Sequence, residues 1–450
     1  MSNSYLFGTS GIRGDATKLF TNQFCFDIGR TFAKFLEKNS LQKVIAVGSD
    51  PRESSPRIKS AIVSGLLYEN SEVYDEGVVP IPAMNYLLIA NPRYKGSLMV
   101  TGSHIKSYLN GVKFFVLKEE ILKDQEKEIV SIYNTLKEDV FYKNIENNIF
   151  IETEAGEKYK EYLRVSKKGN YPKWKILVDP GNGAQSEIVP EVLSEFGLNV
   201  IKINCEIQKE ILSRDTEVES EFTELKTKTK DTRADFAIAF DSDGDRVIFI
   251  DHDGNYISGD YIGALVSKHT NCSAIATPIN TSQVIDKIGK RVIRTKVGSP
   301  HVVQAIKENN LDYGFEANGG GIFKNMLSRD GGRTAIELLN ILAREKKTLS
   351  NLVGELPKYY LYRDKVEYRW ELKDTIMEKV RKHFKAVKTE ELDGVKIWTD
   401  NESWILFRSS SNAPEFRVFA ESSDNNKANE LISKGLSLVR EIVNNYDNKS

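Results

Sequence analysis

Short apolar runs rich in Val and Ile alternate along the chain with longer stretches of helical spacing, the pattern of sheets covered by helices. Lys43–Gly48 (KVIAVG) reads as a buried strand, and the stretch Ser54–Glu69 after it puts Ile58, Ile62 and Leu66 on one helical face. A second β-α-β unit opens at Trp174–Val178, turns at Asp179–Gly183, continues as a helix at Ile188–Phe196 and returns at Asn199–Ile203. A third runs through Ser273–Thr277, a helix near Ser282–Gly289, a strand at Val292–Thr295 and a helix from Pro300 to Lys307. No sequence repeats at a fixed spacing, so what recurs is architecture.

From about Val366 the pattern changes to a helix, the strand-like VKIWT, SWILF and RVFAES, and an amphipathic helix to Asn445, an α+β arrangement. The Lys- and Glu-rich stretch Lys118–Lys137 reads as a solvated helix. Divisions near 150, 255 and 365 give segments 1–150, 151–255, 256–365 and 366–450. The expected fold is therefore α/β, with three similar mixed α/β domains and a C-terminal α+β domain.

At 450 residues the chain has room for two to four domains. Lys plus Arg number 63 against 64 Asp plus Glu, so no global field favours nucleic acid. No apolar run approaches the roughly 20 residues that span a bilayer, which argues against a membrane protein. Cys25, Cys205 and Cys272 stand far apart, in no metal-like or disulfide framework, and Met1–Phe7 lacks the form of a secretory signal. A reducing, cytoplasmic setting is expected, and a monomer or homodimer.

Four loops concentrate the chemistry. Thr101–Phe115 (TGSHIKSYLNGVKFF) follows an apolar strand, where open α/β sheets bind ligands, and presents Ser103, His104 and Lys113 as nucleophile and proton or phosphate partners. Taken alone, Ser-His after a strand would equally suit a capped turn. Ala234–Gly254 carries Asp241, Asp243 and Asp245 between two apolar strands, so three like charges share one turn unless a cation joins them. Oxygen-only ligands select a hard ion such as Mg²⁺, and Arg246 and His252 stand where an EF-hand would need Gly and Glu. Tyr313–Phe323 (YGFEANGGGIF) offers Glu316 and Asn318 to sugar hydroxyls, on glycines that let backbone approach a ligand. Phe407–Ser422 gathers Arg408, Ser409, Ser410, Ser411, Asn412 and Arg417, suited to holding phosphate, although a serine-rich surface turn would look alike.

Together, in this order, and with the opening FGTSGIRG at Phe7–Gly14, these loops resemble the α-D-phosphohexomutase superfamily, from about Phe7 to Ser422. The resemblance implies four domains around a central cleft. It implies a phosphoserine at Ser103, which also joins Asp241, Asp243 and Asp245 around Mg²⁺, with Arg13 and Arg246 beside the phosphoryl group. Glu316 and Asn318 would contact the sugar, Lys296 would line the cleft, and Arg408, Ser410, Asn412 and Arg417 would hold the substrate's own phosphate. The implied activity is interconversion of hexose 1-phosphate and hexose 6-phosphate through a hexose 1,6-bisphosphate, a small-molecule chemistry without nucleic-acid or membrane partners, with His104 and Lys113 as proton-handling candidates.

Ile105 and Lys106 replace the family's usual Asn-Pro, and Ser410–Pro414 replaces Ser-Gly-Thr-Glu-Pro. Asn318–Gly320 replaces Ser-Gly-His, a variant similar to archaeal-type members. The lack of a glucosamine-type Glu-Gln-Ser-Gly-His loop favours glucose and mannose phosphates over glucosamine phosphate. Two rival readings remain: a haloacid-dehalogenase-like phosphatase with Asp241 as nucleophile, which leaves the first and fourth loops unexplained, and a noncatalytic sugar-phosphate binding protein.

Overall fold

Four sheets form the frame of the computed structural model, which describes residues 6–8, 11–136, 140–145, 147–410 and 414–447. The first sheet has a parallel centre of Gly96–Val100, Val44–Ser49 and Glu72–Val78, with Ile149–Ile151 parallel beyond it. Leu109–Val116 and Ile12–Asp15 add antiparallel on the other side. Every residue of Val44–Ser49 and Gly96–Val100 is buried, because helices cover both faces, and this is why these strands read as continuous apolar runs.

The second sheet runs Tyr256–Ile257, Val247–Asp251, Phe236–Phe240, Lys175–Asp179, Asn199–Lys202, and its central pair is an antiparallel hairpin. The third orders Arg291–Thr295, Ala274–Pro278, Tyr313–Phe315, Gly321–Phe323 and Met326–Asp330. The last sheet is wholly antiparallel, Tyr360–Glu367, Glu415–Ser422, Ser403–Ser409, Val395–Asp400 and Lys388–Glu390, and packs on the helices Lys373–His383 and Asn425–Asp447 through Ile376, Val380, Phe407, Val418 and Val439.

The first three sheets share one apolar core, in which Met84 and Leu87 meet Tyr159, Leu163, Phe240, Ile262 and Leu339. The last sheet has its own core and joins the third through a small cluster of Ile279, Trp404, Leu406 and Phe419. Much of that joint is polar. Arg363 reaches Asp260 at 2.5 Å and Glu217 at 3.2 Å, and the Lys396 ammonium donates to the Ile279 carbonyl at 3.1 Å. Such an interface resembles a transient contact more than a shared core.

The structure departs from the sequence pattern in two places. The helix expected at Ser282–Gly289 is a single 3₁₀ turn, Gln283–Lys287, entered through a Ser282 hydroxyl that accepts from the Val284 N–H. The strands Tyr360–Glu367 and Lys388–Glu390 carry no buried position, so no apolar alternation announced them. The charged stretch Lys118–Lys137 does hold a helix, Lys123–Asn134, preceded by the two-residue strand Glu119–Glu120. No helix among the described residues is long and apolar enough to cross a membrane.

Candidate active site

The strand Gly96–Val100 runs out into Thr101, Gly102 and Ser103, and Ser103 is fully buried with φ +51°, in the left-handed region that side chains usually avoid. Its N–H donates to Thr101 Oγ1 at 2.8 Å. Its hydroxyl donates to Asp241 Oδ2 at 2.8 Å and lies 3.2 Å from His104 Nδ1. Burial, followed by the charges of Arg246, Arg13, Arg329 and Lys113, pushes the His104 imidazole well below its ordinary range, so the neutral ring is favoured.

Asp241, Asp243 and Asp245 lie in the turn between Phe236–Phe240 and Val247–Asp251, whose register closes at Phe240 opposite Val247. An ordinary hairpin turn would expose them, yet all three are buried, each with a carboxylate oxygen within 4.8 Å of the others. Asp243 Oδ1 and Asp245 Oδ1 are buried without a hydrogen-bond partner. Unpaired anionic oxygens in a dry site are costly, and a hard cation is the group that satisfies them. The donor set therefore fits a divalent ion.

Four cations surround the trio. Lys113, from the strand Leu109–Val116, donates to Asp245 Oδ2 at 3.1 Å and lies 3.9 Å from Asp243. Arg246 lies 3.6 Å from Asp241 and is steadied by Asp215 at 3.3 Å. Arg13, on the strand Ile12–Asp15, sits where burial and the Arg246 charge push it down while Asp243 and Asp245 hold it up. Arg329 bridges two loops, with Nη2 at 2.6 Å from Asp245 Oδ2 and Nη1 at 2.9 Å from Glu316 Oε2. Burial and its two neighbours push Asp241 well above the usual carboxylate range; burial also raises Asp245, but Arg329, Lys113 and Arg246 together hold it below.

The third loop's glycines pack it against its neighbour. Gly319, at φ +86°, lies against the aspartate hairpin so closely that a Cβ there would come within 1.8 Å of the Val247 carbonyl oxygen. At Gly320 a Cβ would lie 2.9 Å from the Asp245 carbonyl oxygen. They let two backbones touch, which fixes Glu316 and Arg329 against the aspartates. Within this loop Asn318 Oδ1 accepts from the Gly320 N–H at 3.1 Å, and the Asn318 carbonyl accepts from Thr216 at 2.9 Å. Gly319→Ala is expected to cost roughly 3–5 kcal/mol in urea unfolding, from left-handed strain plus overpacking. Gly289→Ala, with φ +77° and open space around it, is expected to cost only about 1 kcal/mol. Equal losses would show that the loop contact is dispensable.

In the fourth loop Arg408 and Arg417 face each other on neighbouring strands. Arg408 Nε donates to Asp393 at 2.7 Å, and the same carboxylate oxygen accepts the Val297 N–H at 2.9 Å, bringing this loop beside the exposed Lys296. Arg417 lies 3.5 Å from Glu415, and Ser410 is buried, its N–H on the Glu415 carbonyl. Asn412, together with Ser411 and Ala413, lies outside the described residues. The direct contacts thus join Ser103, His104, Lys113, Arg246 and the three aspartates, reach Glu316 through Arg329, and tie Arg408 to the Lys296 loop.

Family models of phosphoglucomutase/phosphomannomutase α/β/α domains I, II and III match residues 4–140, 156–254 and 258–360. A phosphoglucomutase/phosphomannomutase of Thermococcus kodakarensis is 33% identical, covering 97% of this chain and 99% of that protein. The chain belongs to the α-D-phosphohexomutase superfamily. A probable phosphoglucosamine mutase of Methanopyrus kandleri is 31% identical over 97% of this chain and 98% of its own length. The fold is also that of a putative phosphomannomutase from Thermus thermophilus, with TM-score 0.82 at 20% identity, covering 98% of this chain and 100% of that one.

Within this candidate site of the phosphohexomutase chain, sequence reasoning missed Arg52, Thr101, Asp215, Arg329 and Asp393. Arg52 follows the buried strand Val44–Ser49 by three residues, so the strand-end rule that singled out Ser103 would have found it. Arg329 lies within the strand Met326–Asp330, where the strand-end rule does not apply, and among 63 Lys and Arg residues a lone arginine carries little signal. What these residues can do together is hold a phosphoryl group: an anion placed at Ser103 would meet Arg13, Arg246, Lys113 and Arg329 in a buried site, where their charges act with little screening.

Proposed function

We propose that this isomerase interconverts hexose 1-phosphate and hexose 6-phosphate, of glucose or mannose, by passing a phosphoryl group to and from Ser103 through a hexose 1,6-bisphosphate. The observation that carries the reading is the buried Ser103 hydroxyl 2.8 Å from Asp241, at the edge of a carboxylate trio ringed by cations. Asp241, Asp243 and Asp245, with an oxygen on Ser103, would hold Mg²⁺, which supplies charge neutralisation for the phosphoryl group.

The chain's residues then do the following. Arg13, Arg246 and Lys113 orient the phosphoryl oxygens. Glu316 and Asn318 take sugar hydroxyls, and Arg408, Ser410, Asn412, Arg417 and Lys296 hold the phosphate that is not reacting. As the Ser103 O–P bond breaks and the sugar O–P bond forms, the proton leaving the sugar hydroxyl returns to Ser103 Oγ, with His104 Nδ1 placed at 3.2 Å to relay it. The bisphosphate turns over and returns its other phosphoryl group to Ser103. Protons balance across the cycle, so a single relay suffices.

A second reading, phosphoglucosamine mutase, draws on the Methanopyrus kandleri relative. One experiment separates them. The chain is incubated with Mg²⁺ and glucose 1,6-bisphosphate, intact and peptide masses are taken, and product formation is followed from glucose, mannose and glucosamine 1-phosphates. The expected result is an adduct of about 80 Da on Ser103 and turnover fastest with glucose or mannose phosphate. Fastest turnover with glucosamine phosphate would favour the second reading. An adduct or turnover absent with every sugar would defeat both.

A further inference from the structure

Beneath the phosphoserine loop lies a side chain that no functional motif accounts for. Arg52 is 2% exposed, and each of its five N–H groups has its own acceptor. Nε donates to Asp50 Oδ2 at 3.1 Å, Nη1 to the carbonyls of Lys106 at 2.9 Å and Leu109 at 3.2 Å, and Nη2 to those of Ser103 at 2.5 Å and Ile105 at 2.8 Å. Asp50, 1% exposed, also accepts the Gly102 N–H at 3.0 Å and the Ser55 hydroxyl at 2.7 Å. Thr101 Oγ1 lies 2.9 Å from Asp50 Oδ2 and 3.0 Å from Asp243 Oδ2.

We infer that Asp50 and Arg52 form the template on which the phosphoserine loop is wound, and that Arg52 is a positioning residue for phosphoryl transfer at Ser103. Four loop carbonyls turned onto one planar fork fix the peptide planes from Ser103 to Leu109. Because a trans peptide points its N–H opposite its C=O, the N–H groups of His104, Lys106 and Ser107 face away from the guanidinium. The fork thereby holds Ser103 at its strained φ of +51°, which no hydrogen bond of the serine side chain alone could do.

This also explains how Ile105 and Lys106 serve where the family usually has Asn-Pro: the template grips main-chain oxygens, which every residue provides. The grip needs a glycine at 102, where a Cβ would lie 2.5 Å from Arg52 Cζ and Nε. Lysine could supply at most three donors from a point, not five from a plane.

The inference rests on the reading of Ser103 as the phosphoryl carrier, so wild-type phosphorylation of Ser103 by glucose 1,6-bisphosphate is measured first; its absence sinks that reading and leaves the template without a reaction. Given it, Arg52→Lys and Gly102→Ala are compared with wild type for kcat, KM, the single-turnover rate of Ser103 phosphorylation and thermal unfolding. The expected result is a fall of about a hundredfold in kcat and in the phosphorylation rate, with KM within about threefold, because misplacing a reacting atom by about 1 Å costs that much. Both variants should still unfold cooperatively, and amide exchange should speed up at 103–109 alone. Phosphorylation rates within about threefold of wild type in either folded variant overturn the inference. So does loss of cooperative unfolding in both variants, which would make Arg52 a stability residue only.

Discussion

Ser103→Ala is expected to lower mutase turnover by at least about 10⁴-fold, since removing a covalent nucleophile leaves only the binding and electrostatic parts of the site. The fold should survive. The hydroxyl's partners are His104 and Asp241, the latter also accepting from the Arg246 N–H at 3.2 Å, and the loop's shape comes from main-chain oxygens on Arg52. Thermal unfolding should therefore stay within a few degrees of wild type, and the mass adduct should vanish. The experiment also decides between classes of chemistry. A phosphatase using Asp241 as nucleophile would keep its activity without Ser103, and a noncatalytic binding protein would show no turnover in either form. Turnover of Ser103→Ala within tenfold of wild type would end the mutase reading.

The parts of this molecule legible in the sequence are those where burial leaves a periodic trace. Val44–Ser49, Lys175–Asp179 and Ala274–Pro278 are covered on both faces, so they read as apolar runs, and the helices after the first two show their inward stripe. Tyr360–Glu367 leaves no such trace because its side chains remain partly or fully exposed. The site divides in the same way. Three aspartates crowded between apolar strands are improbable without a cation, so their chemistry shows in one dimension. Arg329 and Asp393 act through contacts 13 to 96 residues away in sequence, and only the fold brings the partners together.

The third loop is only partly legible in the sequence, for a physical reason. Glycines signal a close backbone approach, but not what approaches. Here it is the aspartate hairpin of the neighbouring sheet, through Gly319 on Val247 and Gly320 on Asp245. That contact makes the site a property of several sheets at once, with Asp245 held by Lys113 from the first and Arg329 from the third. Shared charges of this kind explain why the three aspartates are not equivalent.

Substituting them one at a time is expected to give stability changes of opposite sign. At an effective dielectric near 20, two carboxylates within 4.8 Å repel by roughly 3 kcal/mol or more. Asp245 is compensated by Lys113, Arg329 and Arg246, whereas Asp241 has Arg246 alone at 3.6 Å. In metal-free buffer Asp241→Asn removes repulsion at little loss and should stabilise the chain by about 1–2 kcal/mol. Asp245→Asn strands buried cations and should destabilise it by about 3 kcal/mol. With Mg²⁺ the order of benefit reverses: wild type should gain several degrees of thermal stability, and Asp241→Asn little, because it has lost a charged ligand. Both variants, and wild type stripped with a chelator, should turn over about 10³-fold more slowly. Shifts of the same sign in the two variants, or a wild type whose unfolding ignores Mg²⁺, would contradict a cation held by this trio. Asp241 is the sharper probe, since of the three aspartates it is the one that meets the Ser103 hydroxyl, so its substitution separates the two roles proposed for the carboxylates: holding the ion, and meeting the phosphoryl group it would neutralise.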